Sequence, residues 1–193
     1  MDKRFAIFDM DGTLIDSMIF WKNLASDYLR SKGVEGIPED LPERIKPMTM
    51  SESAALFQQE FGLSGDPEAE MNALMDAHYS KDIPLKPGVR EFLQRLRSRG
   101  VRMCVASATA EPLMEACLKR LEVREYFEFL LSCETVGAGK RSPLVYHAAA
   151  ERLGAASRDI AVYEDALYAV QTAKAAGVPC LSVLWGFRDR EEI

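Results

Sequence analysis

From residue 87 to residue 184 the chain alternates between two textures, and that alternation limits the folds open to it. Short β-rich apolar runs at 101–106, 127–131, 160–163 and 180–184 are separated by segments whose apolar residues recur at helical spacing. The helical segments carry their own punctuation. Gly100, Gly154 and Gly177 stop three of them, and Pro112 and Pro143 stand at the start of two. Strands joined through helices by short loops form a parallel sheet with right-handed crossovers. One more apolar run of buried-strand type, Phe5-Ala6-Ile7-Phe8, stands apart near the start. The expected fold class is α/β, a doubly wound parallel sheet.

Between that first strand and the rest, residues 16–84 show only helical patterns. Ser17 or Asp16 is placed to cap a helix through Ile19, Phe20, Leu24, Tyr28 and Leu29, which Gly33 ends. A connection with Pro38, Pro42 and Pro47 follows. Thr49-Met50-Ser51-Glu52 has the form of a capping box and opens a helix through Ala55, Leu56, Phe57 and Phe61, up to Gly62. Pro67 fits the first turn of a helix carrying Met71, Leu74, Met75 and His78. The block reads as an α-helical insert, 16–84, on an α/β core built from 1–15 and 85–193.

Two aspartates stand directly after the first strand, in Asp9-Met10-Asp11-Gly12-Thr13. Charges beside a core are costly unless they are paired or bind something, and in open α/β sheets ligands bind at the carboxyl ends of the strands. The other strand ends add Ser107, Lys140 and the pair Glu164-Asp165. On one sheet edge these residues converge into a coherent chemistry. The carboxylates suit Mg²⁺, a hard cation that takes oxygen ligands. A hydroxyl and an ammonium beside it would hold a phosphoryl group. A carboxylate can attack phosphorus to form an aspartyl-phosphate, and a second can serve as acid and then base.

Composition narrows the partners. The 193 residues carry a net charge of −6, so neither nucleic acid nor an anionic membrane surface is an expected partner. No apolar run reaches the roughly 18 residues of a spanning helix, and Met1-Asp2-Lys3-Arg4 leads into the strand without a signal-peptide layout. The four cysteines, Cys104, Cys117, Cys133 and Cys180, form no CxxC pair and read as reduced thiols in or near the core. Zinc is not expected, and a cytoplasmic location fits.

With its four strand-end groups in order, the chain resembles the haloacid dehalogenase superfamily, in the phosphatase and β-phosphoglucomutase-like branch with a helical cap. The likeness covers nearly the whole chain. It rests on Asp9-Met10-Asp11-Gly12-Thr13, on Ser107 after Val105-Ala106, on Gly139-Lys140 with Pro143 and Tyr146, and on Glu164-Asp165 with the Ala173-Lys174-Ala175-Ala176-Gly177 helix end. The resemblance implies a Rossmann-like core and a Mg²⁺-dependent phosphatase acting on a small phosphorylated metabolite. Asp9 would be nucleophile and metal ligand. Asp11 would be acid and base, and would lend its backbone carbonyl to the metal. Asp165 would ligate the metal, with Glu164 contributing directly or through water. Ser107 and Lys140 would bind the phosphoryl oxygens, while Gly12 and Thr13 would shape the loop beside the nucleophile.

The chain also departs from the family pattern. Arg141 and Leu144 replace a proline and an aspartate common after the lysine, and Ala166 and Ala169 stand where the fourth motif often carries a small polar residue and a glycine. Trp21 and Met50 occupy positions where β-phosphoglucomutase relatives carry a histidine and an arginine. Those losses favour hydrolysis over a phosphosugar mutase. Relatives continue past a Trp-Gly-Phe segment, whereas this chain ends at Ile193, soon after Trp185-Gly186-Phe187.

Plainer readings also stand. A non-catalytic phosphate- or metal-binding module is an alternative of another class, disfavoured because a binder has no use for Asp11. Trp21, Phe20, Phe57 and the methionines read as packing residues of the insert, and Arg44, Lys46 and Thr49 as polar groups that could face a substrate. His78 and His147 lack an evident acid partner and read as structural or surface residues.

Overall fold

The computed structural model describes residues 3–45, 48 and 50–182, with side chains through residue 179. By contact density the chain divides into two compact units, one of residues 1–16 and 83–193 and one of Ser17–Asp82.

In the first unit, β1 (Phe5–Phe8) is buried along its whole length. It pairs in parallel with strands on both sides, and four apolar side chains in a row suit a strand covered on both faces.

The helical unit contains α1 (Met18–Ser31), α2 (Leu41–Ile45), α3 (Met50–Phe61) and α4 (Pro67–Lys81). Leu24, Tyr28, Leu29, Phe57, Met71, Met75 and Tyr79 make its interior. Tyr28 stacks near Phe57 with ring centroids 6.4 Å apart, and the Trp21 indole donates to the Tyr79 hydroxyl at 3.0 Å. Three expectations change here. Ser17 occupies the N-cap of α1 but in helical backbone geometry with no side-chain cap, so its hydroxyl caps nothing. The proline-containing connection folds its middle into α2, with Pro42 in the first turn, where a missing N–H costs no hydrogen bond. His78 has an acid partner, since Asp82 sits four residues on and its carboxylate lies 3.0 Å from Nδ1. Arg44 pairs with Glu60. Lys46, Pro47 and Thr49 lie outside the described residues.

Back in the first unit, α5 (Val89–Ser98) leads into β2 (Arg102–Ser107), followed by α6 (Glu111–Arg120) and β3 (Leu130–Ser132). Then come the short α7 (Cys133–Val136), α8 (Leu144–Leu153), β4 (Ile160–Glu164), α9 (Leu167–Ala175) and β5 (Cys180–Ser182). The β3 run begins three residues later than its apolar pattern suggests. A 3-10 turn at Arg124–Tyr126 precedes it, and Phe127 is spent on packing against Phe8 at 5.9 Å. Among the described residues the sheet is parallel, in the order β3-β2-β1-β4-β5. The chain therefore winds outward from β1 through β2 to β3, then crosses to β4 and β5, so β1 and β4 flank the topological switch point.

Alternation along β1 divides its side chains between two packing faces. Phe5 and Ile7 join a core with Cys104, Ala106, Tyr146, Ile160 and Val162. Phe8 turns the other way, stacked on Tyr163 at 4.5 Å and edge-on to Phe92 at 6.2 Å. Cys104, Cys117 and Cys133 are buried free thiols; the side chain of Cys180 and all of Trp185-Gly186-Phe187 lie outside the described residues. No helix among the described residues is long and apolar enough to cross a membrane.

Candidate active site

The period-2 pattern that buries Phe5 and Ile7 places Asp9 next on the same face, just past the strand end. On β4 the series Ile160, Val162, Glu164 does the same. The two strands are in register at Phe8 and Tyr163, and the Asp9 amide donates to the Tyr163 carbonyl at 2.9 Å. Two carboxylates are thus carried into one nearly closed space at the switch point. Asp9 is 5 % exposed and Glu164 1 % exposed.

Two buried acids side by side need a cation, and Lys140 supplies it. Its ammonium donates to Asp9 Oδ1 and, at 2.5 Å, to Glu164 Oε1. Tyr146, from α8, donates its hydroxyl to the same Glu164 oxygen at 2.9 Å. The loop through Gly139, joining α7 to α8, is what brings Lys140 here. Burial lowers the Lys140 pKa, but the facing Asp9 and Glu164 carboxylates, with Tyr146, hold it well above the usual lysine range.

The charges do not balance locally. Burial pushes the Asp9 carboxyl up to about 7, with Lys140 opposing that shift and Glu164 and Asp11 adding to it. Burial, then the nearby Asp9, pushes Asp165 up to about 6. One Asp9 oxygen, Oδ2, has no hydrogen-bond partner among the described residues although it is buried. Asp9, Glu164 and Asp165 each offer an oxygen within 4.8 Å of the others'. A buried carboxylate oxygen without a donor, inside a set of three acids, is what a hard divalent cation requires.

Asp11 goes elsewhere. Met10 is fully buried, and the chain then turns back on itself. The Leu14 amide donates to the Met10 carbonyl at 2.9 Å and the Gly12 amide to the Ile15 carbonyl at 3.0 Å. Gly12 makes that turn with φ +83°, a conformation in which a Cβ would be strained. The half-buried Asp11 carboxylate faces β2 and accepts from the Thr109 hydroxyl at 2.6 Å, with the Ser107 hydroxyl 3.5 Å from the same oxygen. Thr13 is buried beside it, its hydroxyl unpartnered among the described residues.

Asp9, Lys140, Glu164 and Asp165 therefore meet in one cluster, and Asp11 and Ser107 meet in a second, with Gly12 and Thr13 in the loop that follows. Thr109 is a contact that the strand-end pattern does not reveal; a second hydroxyl two residues after Ser107 is the only hint in the sequence. Tyr146 is visible only as a neighbour of Lys140. The exposed Arg141 lays its guanidinium over the Tyr168 ring at 5.0 Å.

The chain is similar to known proteins over most of its length. A family model described as haloacid dehalogenase-like hydrolase matches residues 4–177. A phosphorylated carbohydrates phosphatase of Thermotoga maritima is 27% identical over 89% of this chain and 81% of its own length. Hexitol phosphatase B of Escherichia coli K12 is 30% identical over 89% of this chain and 79% of its own length. Among solved structures, a candidate beta-phosphoglucomutase from Thermotoga maritima superposes with a TM-score of 0.80 at 26% identity, over 97% of this chain and 88% of its own.

Proposed function

The chain belongs to the haloacid dehalogenase-like hydrolases, and from that membership we propose that it is a Mg²⁺-dependent phosphatase of a small phosphorylated metabolite, with a phosphorylated carbohydrate as the favoured substrate class. The observation that carries the reading is the buried Asp9 carboxylate, with one oxygen held by Lys140 and the other left without a donor beside Glu164 and Asp165. Such a carboxylate is available both to a cation and to phosphorus. The names of the two phosphatase relatives support the carbohydrate class.

In this mechanism an Asp9 oxygen bonds to phosphorus while the bond to the leaving oxygen breaks, giving an aspartyl-phosphate. Asp11 hands its proton to the leaving oxygen. Water then bonds to phosphorus, Asp11 takes a proton from that water, and the bond to Asp9 breaks. Lys140 offsets charge on Asp9 and meets the phosphoryl oxygens together with Ser107. Gly12 and Thr13 keep the turn that presents Asp11, and Thr13 has a hydroxyl to offer the phosphoryl group. Asp9, Asp165, Glu164 and the Asp11 backbone carbonyl would hold Mg²⁺, which would supply positive charge near the phosphoryl group. The helical insert, residues 16–84, is assigned the role of cap domain and substrate selector.

Phosphate release tests the proposal directly. Hexose, hexitol and pentose phosphates with Mg²⁺ should yield inorganic phosphate, and EDTA should stop it. No release from any phosphate ester in such a panel would sink the reading. Isomerisation of a sugar phosphate with little net release would favour a mutase instead.

A further inference from the structure

Two hydroxyls approach one oxygen of Asp11, and they are not equivalent. Thr109 Oγ1 stands 2.6 Å from Oδ2, the length of a charge-assisted hydrogen bond. Ser107 Oγ stands 3.5 Å from the same atom, at the outer limit of one. The Thr109 amide donates to Ser107 Oγ at 3.2 Å, a short turn that sets the two hydroxyls side by side. Both residues are buried, at 7 % and 1 % exposure, so water does not compete freely for either. Ser107 is the residue the sequence motif singles out, yet Thr109 is the one that grips Asp11.

We propose that Thr109 is a positioning residue for Asp11, an inference that rests on the reading of Asp11 as acid and base. Its hydroxyl clamps Oδ2, which fixes the orientation of the carboxyl that passes the proton, and it frees Ser107 to donate to a phosphoryl oxygen. The protons balance. In the first step the proton leaves the Asp11 carboxyl for the leaving oxygen as the bond from that oxygen to phosphorus breaks. In the second, the Asp11 carboxylate takes a proton from water as the water oxygen bonds to phosphorus and the Asp9–phosphorus bond breaks. Thr109 keeps its own proton throughout. A carboxylate held by one oxygen keeps its orientation through both transfers, and misplacing a reacting group by about 1 Å can cost on the order of 100-fold.

The experiment compares two leaving groups. An alkyl phosphate such as a hexitol phosphate needs a proton on its departing oxygen, whereas p-nitrophenyl phosphate leaves as a stable anion. Thr109→Val, which keeps the shape and removes the donor, should lower kcat on the alkyl ester by about 10- to 100-fold. KM should stay within about 3-fold, and phosphoenzyme formation from the aryl ester, read as a burst, should fall far less. Thr109→Ser should restore the alkyl rate to within about 3-fold of the parent. The ratio of kcat/KM on the two esters, which reports the step in which the leaving group departs, does not depend on how much of a variant is folded, so partial misfolding leaves the test intact, and Thr109→Ala provides a second donor-free variant. An unchanged ratio in both Thr109→Val and Thr109→Ala would overturn the clamp. Asp11→Asn measured alongside separates the two ideas. If it is slow while the Thr109 variants are normal, only the clamp fails; if it turns over like the parent, the acid–base reading itself fails.

Discussion

Asp9 and Asp11 leave the same strand end two residues apart, one enclosed with an ammonium and a glutamate, the other facing two hydroxyls. The difference comes from the pleat and the turn after it. Asp9 continues the inward face of β1, whereas the chain reverses at Gly12 and swings Asp11 toward the end of β2. On the proposed function, Asp9 beside the ammonium is the group that meets phosphorus, and Asp11 among the hydroxyls is the group that passes protons.

The strongest way to break that contrast is at Asp9. Asp9→Asn keeps the shape and the turn but removes the attacking oxygen, so phosphate release should fall by about 10,000-fold or more. The same change at Asp11 should slow turnover and leave phosphoenzyme detectable. Equal, modest losses at both positions would mean the two surroundings do not divide the labour.

Next in size is the ion cluster itself. Lys140→Met leaves Asp9 and Glu164 facing each other without their cation, and removing one partner from a buried charge set costs about 3–5 kcal/mol. Urea denaturation of the metal-free protein would measure it. Adding Glu164→Gln to Lys140→Met should recover part of the loss, because one uncompensated charge is then gone. A Lys140→Met variant as stable as the parent would show that the cluster is not held by its charges.

How far could these two clusters be foreseen? The parallel sheet, the helical stretch and the strand-end acids follow from local pattern, because apolar period and flanking glycines are local properties. The shared face of Asp9 and Glu164 was also available, since both extend a period-2 apolar series. What pattern cannot supply is the register between segments far apart in the chain. Thr109 meets Asp11 across 98 residues and Tyr146 meets Glu164 only because α8 packs where it does. The late start of β3 has the same origin, with tertiary packing of Phe127 overriding local propensity. The His78–Asp82 pair is a different case. Its spacing of four on a helix was legible, and the acid simply lies at the C-cap of α4, one residue past its last turn.

A third, smaller effect concerns protons and the cation. Asp9, pushed up to about 7, and Asp165, pushed up to about 6, both lie above the ordinary aspartate value of 3.8. A carboxyl whose folded pKa is raised stabilises the fold while protonated, and that contribution is lost as pH rises through the folded pKa. The metal-free protein should therefore lose stability between about pH 4 and pH 7, by up to about 1.4 kcal/mol per pH unit for each proton held. A bound cation reverses the trend by displacing those protons. The Tm gain from millimolar Mg²⁺ should be larger at about pH 7.5 than at about pH 5.5. Equal gains at both would mean the cation binds away from these carboxylates.

The smallest effect sharpens the comparison most, because each cluster has a hydrogen bond under 3 Å from a neutral hydroxyl to a carboxylate. Tyr146 serves Glu164 at 2.9 Å and Thr109 serves Asp11 at 2.6 Å. Glu164 Oε1 also has the Lys140 ammonium at 2.5 Å, so Tyr146→Phe leaves that oxygen still bonded and should cost about 1 kcal/mol of stability. It should leave the ratio of alkyl to aryl ester rates unchanged, because Glu164 passes no proton to the leaving group. Thr109→Val should shift the ratio, and losing its charge-assisted bond to Asp11 should itself cost about 1–3 kcal/mol of stability. Measuring both variants by both readouts makes a two-by-two test. If Tyr146→Phe shifts the leaving-group ratio as Thr109→Val does, the two carboxylate clusters act as one proton network, and their separation into a fixed nucleophile and a mobile acid–base does not hold.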